Sequence, residues 1–355
     1  MPSVHLVVTL PGLLRPPGAD GAPPRRAPDA RGAMPVPAGP APALARLIAA
    51  AGAPVPERDG IGAALAPHYG VTRQCDWPLA AIRAAALGVE PGAAYWLAAD
   101  PVTLEAGRDD LRLTGAVTDL APGEAAALIA TLNAHFRADG LVFVAPRPGA
   151  WFVATPGVQE IATRPLAAAV GRSLRLLLPA GKDAGKWQRW HSEIQMLLHE
   201  HPVNAARERA GLRPVNSVWL DGGGTRPAPA APAVRTFANG GIAAALAAHA
   251  GQPAAAVPAA LDAALAAAGG ATTIVVALDA AGDVGAVERA WAAPAWAALV
   301  RGAIESVALM ADGDGGAVVW AVRRPRRWAR IAARLRRPDL AILLAAARAA
   351  SGSDG

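Results

Sequence analysis

Residues 187–224 hold most of the side chains in this chain that could do chemistry. Trp187, Trp190, His191, Glu193, Gln195, His199, His201, Asn204, Arg207, Asn216, Trp219, Gly222, Gly223 and Gly224 fall there, in a sequence otherwise diluted by Ala, Gly and Pro. Arg207 offers a planar fork suited to a phosphate or carboxylate. Three glycines after an apolar strand let backbone N–H groups approach an anion closely. Asn204, Arg207, Glu208, Asn216 and Ser217 are therefore expected to converge near a glycine turn, with Trp219, Gly222, Gly223 and Gly224 completing a small anion or phosphate-ester site. Glu193, Gln195 and His201 would support it. The competing reading is structural: Arg207 pairs with Glu193 or Glu208, and the asparagines tie helix ends to the strand. No catalytic residue is assigned.

Other chemistries leave weaker traces. His199 and His201 lie two apart, roughly 200° around a helix, so they cannot share an ion without a break at Pro202. The His-Glu-X-X-His zinc pattern fails because Val occupies position 203. A capping or hydrogen-bonding role near the helix end fits the pair better, and no metal ligand is assigned. The chain contains no Gly-X-Ser-X-Gly elbow, phosphate-binding Walker loop or dinucleotide fingerprint. Cys75, beside Asp76 and Trp77, reads as a buried small residue rather than a nucleophile. Arg323, Arg324, Arg326, Arg327, Arg330, Arg334, Arg336 and Arg337 form a basic run with Trp328. It reads as a solvated helix face, so nucleic acid is not the expected partner.

The elements that must position these groups follow from periodicity and punctuation. Trp187, Trp190, Ile194, Leu197 and Leu198 mark a helical stripe, with Asp183 as N-cap and Pro202 as stop. Pro202 opens a second helix that Gly211 closes, and residues 215–220 form a strand running into the glycine turn. Upstream, 4–10 is a strand, 44–51, 61–68 and 79–87 are short helices, and 95–99 is a strand ending at Asp100-Pro101, followed by a hairpin through Leu104 and 111–113. Residues 124–138 form a long helix, and 141–144 pairs with 151–153. Downstream, 243–248 and 259–268 are Ala-rich helices and 272–278 is a β-branched strand buried on both faces. Residues 286–302 form a helix kinked at Pro294, 304–311 and 317–322 form a hairpin, and two short helices close the chain. Strands alternating with helices predict an α/β fold, a mixed but largely parallel sheet flanked by helices with an inserted α+β region.

With 355 residues the chain has ample length for a core. Its segments read as 1–14, first strand of the core; 15–42, a flexible Pro/Gly/Ala-rich excursion; 43–225, a central α/β region; 226–232, a Pro/Ala break; 233–322, a C-terminal α/β part; and 323–355, basic helices. One cysteine excludes an internal disulfide and suits a reducing compartment. No signal peptide and no apolar run long enough to span a membrane is read, which predicts a cytoplasmic protein. The net charge of +6 comes with 34 basic residues, mostly Arg, and reflects base composition as much as any partner.

His201-Pro202-Val203-Asn204, Arg207, Gly211, Asn216, Trp219, Gly222 and Gly224 resemble the archaeal-type cofactor-independent phosphoglycerate mutases, which share a His-Pro-X-Asn-X-X-Arg-X-X-X-Gly segment. Residues 96–102, 132–136 and 193–199 resemble more closely a bacterial group of about this length, labelled RpfE-type regulatory protein. The likeness runs over residues 95–224. It implies an alkaline-phosphatase-like core and, in the mutases, two divalent metals beside a Ser nucleophile, with a metal-binding Asp in a Leu-Asp-Gly end to the first strand. Here that strand ends Leu10-Pro11-Gly12, while Thr103 and Asp221 replace a His and a Trp of the bacterial pattern. The expected protein is thus a mutase-like, RpfE-type chain without the metal site, binding a small phosphorylated or anionic ligand or a protein partner. The alternatives are an active phosphomutase using Mn or Mg, and a basic nucleic-acid-associated protein.

Overall fold

The structure, a computed structural model, describes residues 4–15, 41–107, 111–174, 177–279, 283–313, 316–324 and 338–352. Most of the 15–42 excursion, the hairpin tip at 314–315 and the basic run beyond Arg324 lie outside the described residues.

The chain begins with β1 (His5–Leu10), α1 (Pro42–Ala51), β2 (Val55–Glu57) and α2 (Gly60–Leu65), the last continuing into a 3-10 turn at Ala66–Tyr69. Thr72–Ala228 then makes a compact unit of its own. It holds α3 (Leu79–Ala86), β3 (Tyr95–Ala106), β4 (Leu111–Ala116), α4 (Pro122–His135), β5 (Val142–Arg147) and β6 (Ala150–Thr155). It continues with α5 (Leu166–Ala169), α6 (Ala184–His199), α7 (Pro202–Arg209) and β7 (Ser217–Gly224). From Pro229 the chain rejoins the first unit with β8 (Val234–Ala238), α8 (Gly241–His249), α9 (Leu261–Ala266), β9 (Thr273–Ala277) and α10 (Val284–Val287). It ends with α11 (Ala293–Arg301), β10 (Ser306–Gly313), β11 (Gly316–Arg323) and α12 (Leu340–Gly352). Residues 43–71 belong to the first unit.

The first unit carries a six-stranded mixed sheet in the order β2-β11-β10-β1-β9-β8. Strands β10, β1, β9 and β8 run parallel, β11 runs antiparallel to β10, and β2 runs antiparallel to β11. Ile274, Val275 and Val276 of β9 are all buried, as a β-branched run between two parallel neighbours requires. Leu6, Val8 and Leu10 pack with Leu44, Leu47, Trp291, Leu299 and Leu344 in one core. The Glu288 carboxylate accepts the N–H groups of Ala43 and Leu44 at 2.8 and 2.9 Å, which fixes the start of α1 behind Pro42. Glu288 opens a π-helical turn, Glu288–Ala292, directly before Pro294, so the missing proline donor is absorbed by a widened turn.

The second unit is built on the twelve-residue β3, the spine of an antiparallel sheet ordered β4-β3-β6-β5, with β7 also pairing to β3. The expected stop at Asp100-Pro101 does not occur. Pro101 faces Val218 of β7, but its carbonyl and nitrogen point to the other side of β3. That side is the gap between β6, which pairs as far as Ala98, and β4, whose pairing starts at Val102, so no ladder bond needs its absent N–H. Its carbonyl accepts the Val117 N–H at 2.8 Å. Asp183 does not cap α6 with its side chain; its Oδ2 accepts the Glu160 N–H instead.

Candidate functional site

Asn204, Arg207, Asn216, His191 and His201 bond to other groups of the protein, while His199, Glu200 and Glu208 are exposed. Asn204 of α7 donates from Nδ2 to the carbonyls of Leu198 and Val215 at 2.6 and 2.7 Å, and its Oδ1 accepts the Val215 N–H. Asn216 does the same to one residue of β3, accepting from Leu104 N–H at 2.7 Å and donating to Leu104 O at 2.8 Å. Asn133 of α4 repeats the pattern on Phe143 of β5. Each amide therefore stands in for a missing strand neighbour, satisfying both backbone groups of one residue.

Arg207 is 1% exposed. Its Nη2 donates to Asp119 Oδ1 at 2.6 Å, its Nη1 to Glu124 Oε2 at 2.9 Å and its Nε to the Arg213 carbonyl at 2.8 Å. The expected partners Glu193 and Glu208 are not the ones used. Glu193 meets His135 at 3.2 Å, while Gln195 Nε2 lies 3.0 Å from His191 Nδ1. His201 caps α7, its Nδ1 accepting the Val203 N–H at 3.2 Å, which places its proton on Nε2 facing Thr131 Oγ1. His191 is held as the Nε2 tautomer by the same logic, facing the Val218 carbonyl and Ser217 Oγ. Burial lowers the pKa of both histidines.

Gly222–Gly224 do not form a turn. β7 runs through them with a bulge at Gly222, φ +69°, between Asp221 opposite Ala98 and Gly224 opposite Trp96. Glycine is required here for room: a Cβ on Gly223 would collide with Tyr95 Oη, and one on Gly224 would lie 2.8 Å from Pro78 Cα. At about 3.3 Å per residue, seven residues of strand put Gly222 on the order of 20 Å from Val215. Since Asn204 holds Val215, the anion site imagined across Asn204, Arg207, Asn216 and the glycines is not one place.

The glycines border two networks absent from the sequence reading. The Asp76 carboxylate, 3% exposed, accepts the Thr163 hydroxyl in a short hydrogen bond, the N–H groups of Thr163 and Trp77, and Gly223 N–H at 3.3 Å. Burial raises its pKa against these donors. Thr163 Oγ1 in turn accepts the Gly222 N–H at 3.1 Å, and Trp219 Nε1 donates to the Arg164 carbonyl. On α3, Arg83 reaches Asp100 Oδ2 at 3.0 Å and Asp221 Oδ1 at 3.6 Å, with Phe152 under its guanidinium. Burial works against the Arg83 charge, but the two carboxylates more than offset it. Only Glu124 left a local sequence signal, three residues after Ala121, whose N–H its Oε2 accepts. Asp76, Arg83, Asp100, Asp119 and Thr163 act over long sequence separations, which no local pattern shows.

In the first unit the carboxyl ends of the parallel strands are the place where α/β sheets hold ligands. β1 ends in Leu10-Pro11-Gly12, and the Gly12 N–H donates to Asp312 Oδ1 at 2.7 Å. Asp279, after β9, accepts the Asn239 amide at 3.0 Å. Pro11 supplies no ligand atom between them. Among the described residues no three His, Cys, Asp or Glu side chains gather as metal ligands would.

No protein-family model matches the chain. Over 63 residues it is 41% identical to the 2,3-bisphosphoglycerate-independent phosphoglycerate mutase of Methanothrix thermoacetophila. That match covers 18% of this chain and 16% of the relative, so the similarity spans about a sixth of the curated protein. Among solved structures, the cofactor-independent phosphoglycerate mutase from Thermoplasma acidophilum aligns over 90% of this chain and 89% of its own, with 15% identity and a TM-score of 0.36. The PH0037 protein from Pyrococcus horikoshii aligns over 91% and 88%, with 14% identity and a TM-score of 0.45.

Proposed function

We propose that this is a phosphoglycerate-mutase-like protein of the RpfE-type, with an alkaline-phosphatase-like core, that acts by binding rather than by phosphoryl transfer. The partner under this reading is a small phosphorylated or anionic molecule, or another protein. The local 41% identity to a phosphoglycerate mutase and the His201-Pro202-Val203-Asn204/Arg207/Gly211 pattern support the relationship. One observation carries the functional half: the first strand of the parallel sheet ends in Pro11-Gly12, closed by the Asp312 carboxylate, where the resembling enzymes place a metal-binding Asp. Without that ligand, this strand end offers one carboxylate fewer to hold the ions that would neutralise a transferring phosphoryl group.

Metal content of the purified chain, measured together with 2- and 3-phosphoglycerate interconversion in added manganese, tests this. Expected are no stoichiometric metal and no turnover, with 3-phosphoglycerate or inorganic phosphate binding by calorimetry locating the ligand class. Two ions per chain with manganese-dependent turnover overturns the reading in favour of an active phosphomutase.

A further inference from the structure

One carboxylate oxygen in the Arg83 network lacks the donor a buried acceptor needs. Asp100 pairs through Oδ2, while its Oδ1 is buried with no hydrogen-bond partner. Asp221 accepts the Leu166 N–H through Oδ2 at 2.9 Å, while its Oδ1 lies 3.6 Å from Arg83, beyond hydrogen-bond range. The two residues leave adjacent strands on one face as diagonal neighbours: Ala98 faces Asp221, and Asp100 faces Trp219. Both end at the same guanidinium. One cation therefore serves two anions on one face of the sheet, and the buried Asp100 Oδ1 has no donor. A single added proton on Asp221 balances the charge and supplies a donor on the face where Asp100 Oδ1 lacks one.

We infer that Asp221 is a proton-operated latch: protonated on Oδ1, it donates to Asp100 Oδ1 and joins β7, β3, α3 and the start of α5 in a neutral network. Loss of the proton leaves two carboxylates on one arginine and loosens that junction. The groups facing Asp221 are Arg83 from α3, Asp100 from β3, the Leu166 N–H from α5 and, at longer range, Asp76 ahead of α3. Burial is the largest influence, and the ion pair with Arg83 only partly offsets it, so the Asp221 carboxyl is raised to about 6 from 3.8. The latch therefore changes state at mildly acidic pH.

The direction follows from proton binding. Between pH 3.8 and about 6 the folded chain holds a proton that the unfolded chain has released, so this contribution to stability falls as pH rises and is gone above about 6. Carboxyl-carbon NMR of the wild-type chain, titrated with pH, tests the assignment without any substitution. One aspartate resonance should move with a midpoint near 6, and amide exchange at Leu166 should quicken over the same range. In Asp100→Asn the acceptor oxygen becomes an amide and Arg83 is left to Asp221 alone, so the midpoint should fall toward the ordinary carboxylate range. Asp221→Asn should abolish the step in Leu166 exchange. Titration of every aspartate in the ordinary acidic range, or an Asp100→Asn midpoint equal to that of the wild type, overturns the latch.

Discussion

An asparagine amide carries one donor group and one acceptor on the same carbon, the pair that an unpartnered strand residue requires. Asn204, Asn216 and Asn133 each spend both on a single backbone residue. Aspartate has the same shape and no donor, so Asn204→Asp should place a buried carboxylate against two carbonyls. A loss of about 3 kcal/mol is expected in urea unfolding at neutral pH, shrinking at pH 4 where the new acid protonates. Arg207→Ala should cost about 3 kcal/mol by stripping a buried cation from Asp119 and Glu124, tempered because both carboxylates remain partly solvated. Buried His191 adds a pH dependence of its own. Its pKa is depressed below 6.5, mainly by burial, so the unfolded chain takes up the proton first. This contribution is complete above pH 6.5 and declines as pH falls below it, and His191→Gln should remove that decline from a pH series of unfolding free energies.

At the scale of elements, β7 determines what the motif block can be. β7 bulges against β3 at Gly222, whose φ is +69°, and the N–H groups of Gly222 and Gly223 are taken by Thr163 and Asp76, so they are not left for a bound anion. Its glycines are cut to fit Tyr95, Leu97 and Pro78. Tyr95 Oη is itself buried without a partner, and burial, followed by the nearby Asp76, raises its pKa. Tyr95→Phe should therefore leave the melting temperature unchanged or raise it. Gly223→Ala should lower it by several degrees, and the same change in a Tyr95→Phe background should lower it less. Equal losses in both backgrounds would mean that the hydroxyl is not what crowds position 223. The π-helical turn before Pro294 and the passage of β3 through Pro101 show the same principle: a proline is accommodated where the surrounding ladder does not call on its nitrogen.

For the whole molecule, the contact pattern separates Thr72–Ala228 from the remainder. That segment has an apolar cluster of its own, centred on Leu128, Phe136, Trp151, Trp187 and Val218. Expressed alone, it should unfold cooperatively in urea with native-like dispersion of its amide signals. A molten, non-cooperative product would mean that its core depends on the first unit.

The residues of this chain determined its elements nearly unaided, because apolar period, proline, glycine and β-branching act within a few positions. The α6 and α7 boundaries, the β5–β6 and β10–β11 hairpins and the doubly buried β9 were all legible that way. The density of amides and charges between 187 and 224 was legible too, but not its purpose. Whether Arg207 meets a ligand or the carboxylates of Asp119 and Glu124, more than 80 positions away, depends on which surfaces tertiary packing brings together. The crowding that makes Gly223 obligatory, and the sharing of Arg83 by Asp100 and Asp221, exist only once β3, β7 and α3 are assembled, since hydrogen bonds and charges act through space and leave no period in the chain.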